Sequence, residues 1–198
     1  MSDYVITITR EFGSHGTEIG RKLGQELGIP VYDKEIIENV SRSQHYKVGE
    51  MYRQYDELLQ KKLSGHYDNY IKFGSPVMSG MFEEQCQVIR NFADAQNCIF
   101  IGRCADYALR DRKNCLNIFI YAPYSSRFYY ILNKYEFTEE ETTRMIRQVD
   151  KARHDYYKHY TGQNRGAREE KHLMINSEMF GVEGTVNIIK NAVMEKFF

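Results

Sequence analysis

The stretch ITITREFGSHGTEIGRKLGQEL, residues 6–27, decides the fold. It begins within the β-branched, apolar run 4–9, which is typical of a short buried strand. A glycine-rich turn follows, and apolar residues then recur every fourth position, as on one face of a helix, at Ile19, Leu23 and Leu27. Gly28 and Pro30 end this pattern. The sequence therefore predicts a strand, a glycine turn and a helix in that order.

The glycine turn predicts an anion site that suits phosphate. Where such a turn enters a helix, several backbone N–H groups point at one spot and the helix dipole adds partial positive charge. Arg10 stands just before the turn as a further donor. The residues expected to hold phosphate are Gly13, Ser14, His15, Gly16, Thr17 and Glu18. The alternative is a glycine turn that merely permits tight packing of the helix on the strand.

The turn lacks the lysine of the Walker A pattern GxxxxGK[ST]. When Gly13 is matched to the middle glycine of a nucleotide-kinase loop, the lysine position falls on Gly16. The position of the magnesium-binding hydroxyl then falls on Glu18, with Thr17 beside it.

Strands alternate with helices along the rest of the chain, which predicts an α/β fold with a mainly parallel sheet. Strand patterns recur at residues 31–32, 98–101, 116–122 and 172–175. Asp33 is expected to cap a helix through about residue 42, and the Tyr-rich region 44–95 reads as a mostly helical insert. Thr138 and Glu141 have capping-box spacing and open a helix to about residue 160. An amphipathic helix ends the chain.

Composition excludes several classes of protein. The 198 residues are 42% hydrophobic, as in a folded domain. Lys+Arg and Asp+Glu are both 27, and this balance argues against nucleic-acid or membrane partners. No run approaches the roughly 18 apolar residues of a membrane helix, and residues 1–12 show no signal-peptide pattern. Whether the chain forms a homo-oligomer stays open.

Cysteine usage predicts a cytoplasmic protein with reduced, partly buried thiols. The four cysteines have no CxxC spacing, so neither a zinc knuckle nor a dithiol redox motif is supported. They are Cys86, Cys98, Cys104 and Cys115.

Three further segments of the sequence place charged residues where a ligand could bind. Asp33 and Lys34 follow the short second strand, and Gly102 and Arg103 follow the next one, where a parallel sheet lines its ligand crevice. Residues 144–168 hold seven basic and two acidic residues, and five basic ones form a helical stripe: Arg144, Arg147, Lys151, His154 and Lys158. Each signal also has a plainer reading, as a helix cap, an ion-paired arginine or a solvated helix face. Beside a phosphate turn, the stripe favours an arginine-bearing flap that closes over a polyphosphate.

Taken in order, these pieces resemble the cytidylate kinase-like family, a branch of the P-loop nucleoside monophosphate kinases. The matching segments are ITITREFGSHGTEIGRKLGQELGIPVYDKEII, IFIGRCADYALRD, NIFIYAPYSSR, MIRQVDKARHDYYKHYTG and HLMINSEMFGVEGTVNII. The resemblance implies one domain, 1–198, with a three-layer P-loop kinase-like α/β fold around a central five-stranded parallel sheet. It also implies a helical acceptor-binding insert at about 33–95, a basic lid at about 138–168, ATP with Mg²⁺ as donor, and CMP or dCMP as the nominal acceptor.

The resemblance also implies roles for single residues. The glycine turn would hold the donor's β-phosphate, and Arg103 would bind the acceptor's phosphate. Asp33 stands at the Asp that opens the family's acceptor-site motif, beside Lys34. The remaining implied residues are Asp106 and Arg127 on the acceptor side, and Arg10, Arg147 and Arg153 with Arg103 as catalytic cations.

The chain also departs from cytidylate kinases. The charge of the missing lysine would have to come from Arg10, His15 or a lid arginine. Val149 stands where the lid would carry an arginine, and Lys34 follows Asp33 where those enzymes have a serine. Two alternatives therefore remain: a non-catalytic nucleotide sensor, or a kinase with a non-nucleotide acceptor such as a sugar, a cofactor precursor or an antibiotic.

Overall fold

The computed structural model describes residues 3–33 and 76–198. The described strands are β1 Val5–Arg10, β2 Val31–Tyr32, β3 Cys98–Ile101, β4 Cys115–Tyr121 and β5 Leu173–Asn176. The described helices are α1 Gly16–Leu27, α2 Pro76–Ala95, α3 Ala105–Ala108, α4 Tyr124–Tyr135, α5 Glu139–Thr161 and α6 Ser177–Phe197, with a 3₁₀ turn at Arg168–Glu170. The predicted helix after Asp33 and most of the Tyr-rich insert fall outside the described residues.

The strands form one parallel sheet in the order β2-β3-β1-β4-β5. β1 lies in the middle and pairs with β3 on one side and β4 on the other. All five carboxyl ends therefore meet at one edge of the sheet. This confirms the predicted α/β fold with a five-stranded parallel sheet.

Helices cover both faces of the sheet, so the fold has three layers. On one face, Ile6 and Ile8 of β1 pack with Ile19 and Leu23 of α1 and with Val186 of α6. On the other face the strands pack against α2, α3 and the buried Tyr157 of α5. Both faces of β1 are buried, which explains why its sequence is an apolar run.

Helix ends follow local sequence as predicted. Thr138 caps α5: its hydroxyl accepts from the Glu141 N–H, and the Glu141 carboxylate accepts from the Thr138 N–H at 2.8 Å. Gly28 takes a left-handed conformation and ends α1. The predicted C-terminal helix with Val186, Ile189 and Val193 forms the larger part of α6, and Gly181, at φ 65° and ψ −178°, kinks α6 before that part. No helix within the described ranges is long and apolar enough to cross a membrane.

Candidate functional site

The candidate site lies at the carboxyl edge of the sheet. β1 ends at Arg10 and runs into the glycine turn, while β3 ends at Ile101 and is followed by Gly102 and Arg103. Asp33 comes directly after β2. The parallel order places these three segments side by side, as the sequence predicted.

The glycine turn is held rigidly against the body. Gly13 and His15 take positive φ values of 84° and 56°, and α1 begins directly afterwards at Gly16. Ser14 is fully buried, and its hydroxyl lies 3.0 Å from the Glu11 carbonyl and 3.2 Å from that of Ile120. Its side chain therefore anchors the turn, and the partly exposed Gly13, His15 and Thr17 form the surface of the turn that a ligand could meet.

A cavity of about 670 Å³ opens over the turn. Its walls include the whole turn, the start of α1 and residues of α4. The His15 ring lies 3.9 Å from that of Tyr130, centroid to centroid, and 3.0 Å from a Glu18 carboxylate oxygen. Lys134 donates to the Tyr130 hydroxyl at 2.7 Å. This volume suits a nucleotide-sized ligand.

Arginines concentrate positive charge beside the turn. Burial, followed by the nearby charges of Arg153, Arg103 and Arg165, lowers the pKa of Arg10 well below its usual range. Arg165 and Arg153 both donate to the Arg10 carbonyl, at 2.9 and 3.4 Å. Asp33 is the carboxylate that offsets this repulsion. Positive charge concentrated in this way beside the glycine turn favours the binding of an anion.

Asp150 ties helix α5 to the glycine turn. Its Oδ1 accepts from the Phe12 N–H at 3.0 Å and from Arg165 at 3.1 Å, and its Oδ2 accepts from Arg127 at 2.6 Å. Arg127 is nearly buried and also donates to the Ala122 and Phe12 carbonyls. The predicted acceptor residue Arg127 is thus engaged by the protein itself, in a position that holds the turn in place.

Asp106 also lies apart from the cavity over the turn. It is buried, pairs with the buried Lys171 and accepts from the Tyr157 hydroxyl at 3.1 Å. These contacts join α3, α5 and the start of β5. The predicted substrate role of Asp106 stays a prediction, and Lys34 lies outside the described residues.

The turn that carries Arg103 is strained. Gly102, Arg103 and Cys104 take φ values of 77°, 61° and 53° in succession. For residues with side chains such values cost energy and persist only where the surroundings enforce them. Here the buried Gln85 amide donates to the Arg103 carbonyl at 2.9 Å. Such strain is common where a side chain must be held toward a ligand.

The basic stripe of α5 does not face the glycine turn. All five of its members, among them the predicted catalytic Arg147, are exposed to solvent. Arg153, which the stripe skips, lines the cavity, and its guanidinium lies 5.6 Å from the centre of the Phe12 ring. Helical spacing separates the faces of α5, but the buried Ile146 and Val149 decide which face turns inward.

The magnesium-binding hydroxyl stays a prediction. The position expected for it, Glu18, carries a carboxylate that lies 3.0 Å from a ring nitrogen of His15. Thr17, beside it, lines the cavity over the turn and offers a hydroxyl there. Within residues 3–33 and 76–198, no group of three or more His, Cys, Asp or Glu is arranged to hold a metal ion by itself. The donors present fit a metal that arrives with phosphate oxygens.

Sequence reasoning missed Arg165, Asp150 and Lys134 as members of the site. Asp150 and Arg165 lie about 140 and 155 positions from the turn they contact. No local spacing could have paired them. Lys134 is one turn of helix after Tyr130, and only the packing of α4 brings both to the cavity.

Comparisons with known proteins agree with this architecture. The sequence model of the cytidylate kinase-like family matches residues 5–179. An uncharacterized protein from Eubacterium ventriosum has a similar structure, with a TM-score of 0.74, 21% identity, and coverage of 96% of this chain and 98% of that one. Shikimate kinase from Bacteroides thetaiotaomicron follows at TM-score 0.56 and 14% identity, with coverage of 98% and 99%.

A third similar structure is shikimate kinase from Acinetobacter baumannii, solved in complex with shikimate. Its TM-score is 0.54 and its identity 12%, with coverage of 100% of this chain and 96% of that one. At such identities these neighbours show a shared P-loop kinase fold. No curated protein matches the chain closely enough to count as a relative.

Proposed function

The chain belongs to the cytidylate kinase-like family, and we propose from this premise that it is an ATP-dependent phosphotransferase with a small-molecule acceptor. The nominal acceptor is a nucleoside monophosphate such as CMP or dCMP. One observation carries the proposal: Arg10 and Arg153 line the cavity over the glycine turn, and Arg103 and Arg165 lie near enough for their charges to act on Arg10. Phosphoryl transfer needs positive charge there.

The donor's phosphates would be held by the turn. The backbone N–H groups of Gly13 to Thr17 and the dipole of α1 would bind the β-phosphate. Mg²⁺ would bind together with ATP and neutralise part of the negative charge on its phosphates. The Thr17 hydroxyl is the candidate ligand for this ion. The residues of the turn fit this role because the buried Ser14 anchors the turn, while Gly13, His15 and Thr17 stay partly exposed on the cavity wall.

The acceptor would lie on the side of β2 and β3. Arg103 follows β3 and would bind an anionic group on the acceptor. Asp33 follows β2 and is held by Arg21 at 2.6 Å. No general base is needed for an acceptor that is already an anion, so the protein would act by positioning and by charge.

The Tyr-rich insert, most of which falls outside the described residues, belongs to this acceptor side by the family resemblance. Its sequence departs from that of cytidylate kinases, so a sugar, cofactor precursor or antibiotic is a second acceptor class.

A non-catalytic nucleotide sensor is the second candidate function. The observation that favours it is the glycine at the Walker lysine position, since loss of that lysine removes a cation from the reacting phosphates. A sensor would bind ATP without consuming it.

Incubation with ATP·Mg²⁺ and a panel of acceptors tests these functions, with ADP release as readout. The panel includes nucleoside monophosphates, sugars and shikimate-like hydroxy acids. Arg153→Ala and Arg147→Ala then separate the cluster from the exposed stripe, with Lys190→Ala, at a surface pair away from the cavity, as control. We expect turnover to fall about 100-fold or more in Arg153→Ala and to stay unchanged in Lys190→Ala. ATP binding without turnover on any acceptor would instead identify a sensor.

A further inference from the structure

Arg10 and Gly16 share one space beside the glycine turn. A Cβ atom built on Gly16 would lie 2.5 Å from the Cβ of Arg10 and 2.9 Å from its Cγ. Carbon atoms that are not bonded do not approach so closely. Gly16, at the Walker lysine position, therefore has no side chain because the side chain of Arg10 leaves β1 through that space.

The far end of Arg10 meets a second glycine. A Cβ atom built on Gly102 would overlap Nη1 of Arg10. The side chain of Arg10 therefore starts over Gly16, at the beginning of α1, and ends at Gly102, immediately before Arg103. It spans the distance from the glycine turn to the turn that carries the acceptor-side arginine.

The guanidinium of Arg10 is poised for an anion. Within the described residues its Nε is buried and has no hydrogen-bond partner. Its backbone is fixed by the bonds that Arg153 and Arg165 donate to its carbonyl. A buried donor without a partner is costly, unless a ligand supplies the acceptor.

We propose that Arg10 replaces the Walker lysine: its guanidinium reaches the phosphates on the glycine turn, and position 16 is a glycine because it leaves the stem of Arg10 room. The identity of the anion as a nucleotide's phosphate chain rests on the proposed function. An arginine can bind two oxygens with its planar fork, whereas a lysine offers a point charge. Because Arg10 spans from the glycine turn to the turn that carries Arg103, its guanidinium binds phosphate oxygens between the donor's side and the acceptor's side of the site.

Calorimetry with inorganic pyrophosphate and with ATP·Mg²⁺ tests this role directly. Arg10→Gln keeps most of the aliphatic stem and removes the charge. We expect its affinity for both probes to fall about 10- to 100-fold, while Lys190→Ala, at a surface pair away from the cavity, binds as the wild type does. An unchanged affinity in Arg10→Gln overturns the proposal.

A swap of the two positions separates charge from packing. Arg10→Gly with Gly16→Lys moves the cation to the Walker position, and Arg10→Gly with Gly16→Met fills the same space without charge. We expect the lysine pair to recover at least about 10-fold in pyrophosphate affinity over the methionine pair. Equal affinities for the two pairs overturn the proposal, because a packing role would not distinguish them. If neither pair folds, as judged by circular dichroism, the Arg10→Gln result decides.

The same measurements distinguish this inference from the proposed function. Pyrophosphate binding that depends on Arg10, without phosphoryl transfer to any acceptor, upholds the inference and overturns the kinase. If Arg10→Gln still transfers the phosphoryl group and binds both probes as the wild type does, the inference is overturned and the proposed kinase function is upheld. A wild-type protein that binds neither probe overturns both.

Discussion

Replacement of Asp150 by asparagine tests whether helix α5 holds the glycine turn in place. Asp150→Asn preserves the shape of the side chain but removes the charge that faces Arg127 and Arg165. Those arginine side chains are only 10% and 11% exposed, so water replaces the lost partner poorly. Each hydrogen bond to a charged group contributes about 1.5–3 kcal/mol, and Asp150 makes one to each arginine.

The arginines keep other partners, which limits the loss. Arg127 retains Glu11 and two carbonyls, and Arg165 retains the Arg10 carbonyl. We therefore expect the free energy of unfolding to fall by about 2–4 kcal/mol. For a domain of this size that corresponds to a Tm lower by roughly 5–15 °C. Thermal unfolding followed by circular dichroism measures it.

A matched control lies on the same helix. Asp155 pairs with Lys151 at the surface, where their side chains are 40% and 73% exposed. Such pairs contribute about 0–1 kcal/mol, so Asp155→Asn should change Tm by no more than a few degrees. Similar losses in Asp150→Asn and Asp155→Asn would refute the reasoning. Affinity for ATP should fall only in Asp150→Asn, because the weakened bonds to Arg127 and Arg165 loosen the contact of α5 with the glycine turn.

Three further outcomes follow from the packing and burial of particular side chains. Gly16→Ala should lower the free energy of unfolding, measured by urea titration, by about 1–3 kcal/mol because the new methyl group clashes with the side chain of Arg10. Gly166→Ala is the control and should be tolerated, because its new methyl group would lie 3.7 Å from the nearest atom, in the ring of Phe119. Lys171→Met should cost about 3–5 kcal/mol by the same measurement, since it leaves a buried carboxylate unpaired; Lys190→Met, at a surface pair, should cost less than about 1, and equal costs would contradict this. Burial raises the pKa values of all four thiols, to about 11 for Cys86 and about 12 for Cys98 and Cys115, so an alkylating reagent at pH 8 should label them only after unfolding. Rapid labelling of the native protein would show that this burial is wrong. The thiols concerned are Cys86, Cys98, Cys104 and Cys115.

The sequence predicted those parts of the molecule that depend on local pattern. The apolar runs became strands, Thr138 and Glu141 formed their capping box, and Gly28 ended α1. The glycine turn was found because its residues are consecutive. The shared α/β fold followed from the alternation of strands and helices.

The parts that escaped prediction depend on contacts between distant residues. Helical spacing grouped Arg147 with the basic stripe, but the burial of Val149 turns that stripe to solvent and leaves Arg153 toward the cavity. Arg165 gave no signal because its partners, the Arg10 carbonyl and Asp150, are brought to it only by the tertiary fold. Likewise, the need for a glycine at position 16 is visible only in the folded structure, where the side chain of Arg10 occupies the space beside it.

The central position of β1 has a consequence for hydrogen exchange. β1 is bonded on both sides, so its amides should exchange with solvent only when the whole sheet opens. Arg10 stands at the end of this strand and shares its resistance to opening. Asp33 instead follows the two-residue β2, at an end of the described sheet, where brief local fluctuations suffice. The two sides of the site should thus differ in lifetime: the donor side stays formed, whereas the outer edge of the acceptor side at Asp33 can open and close while the fold stays intact.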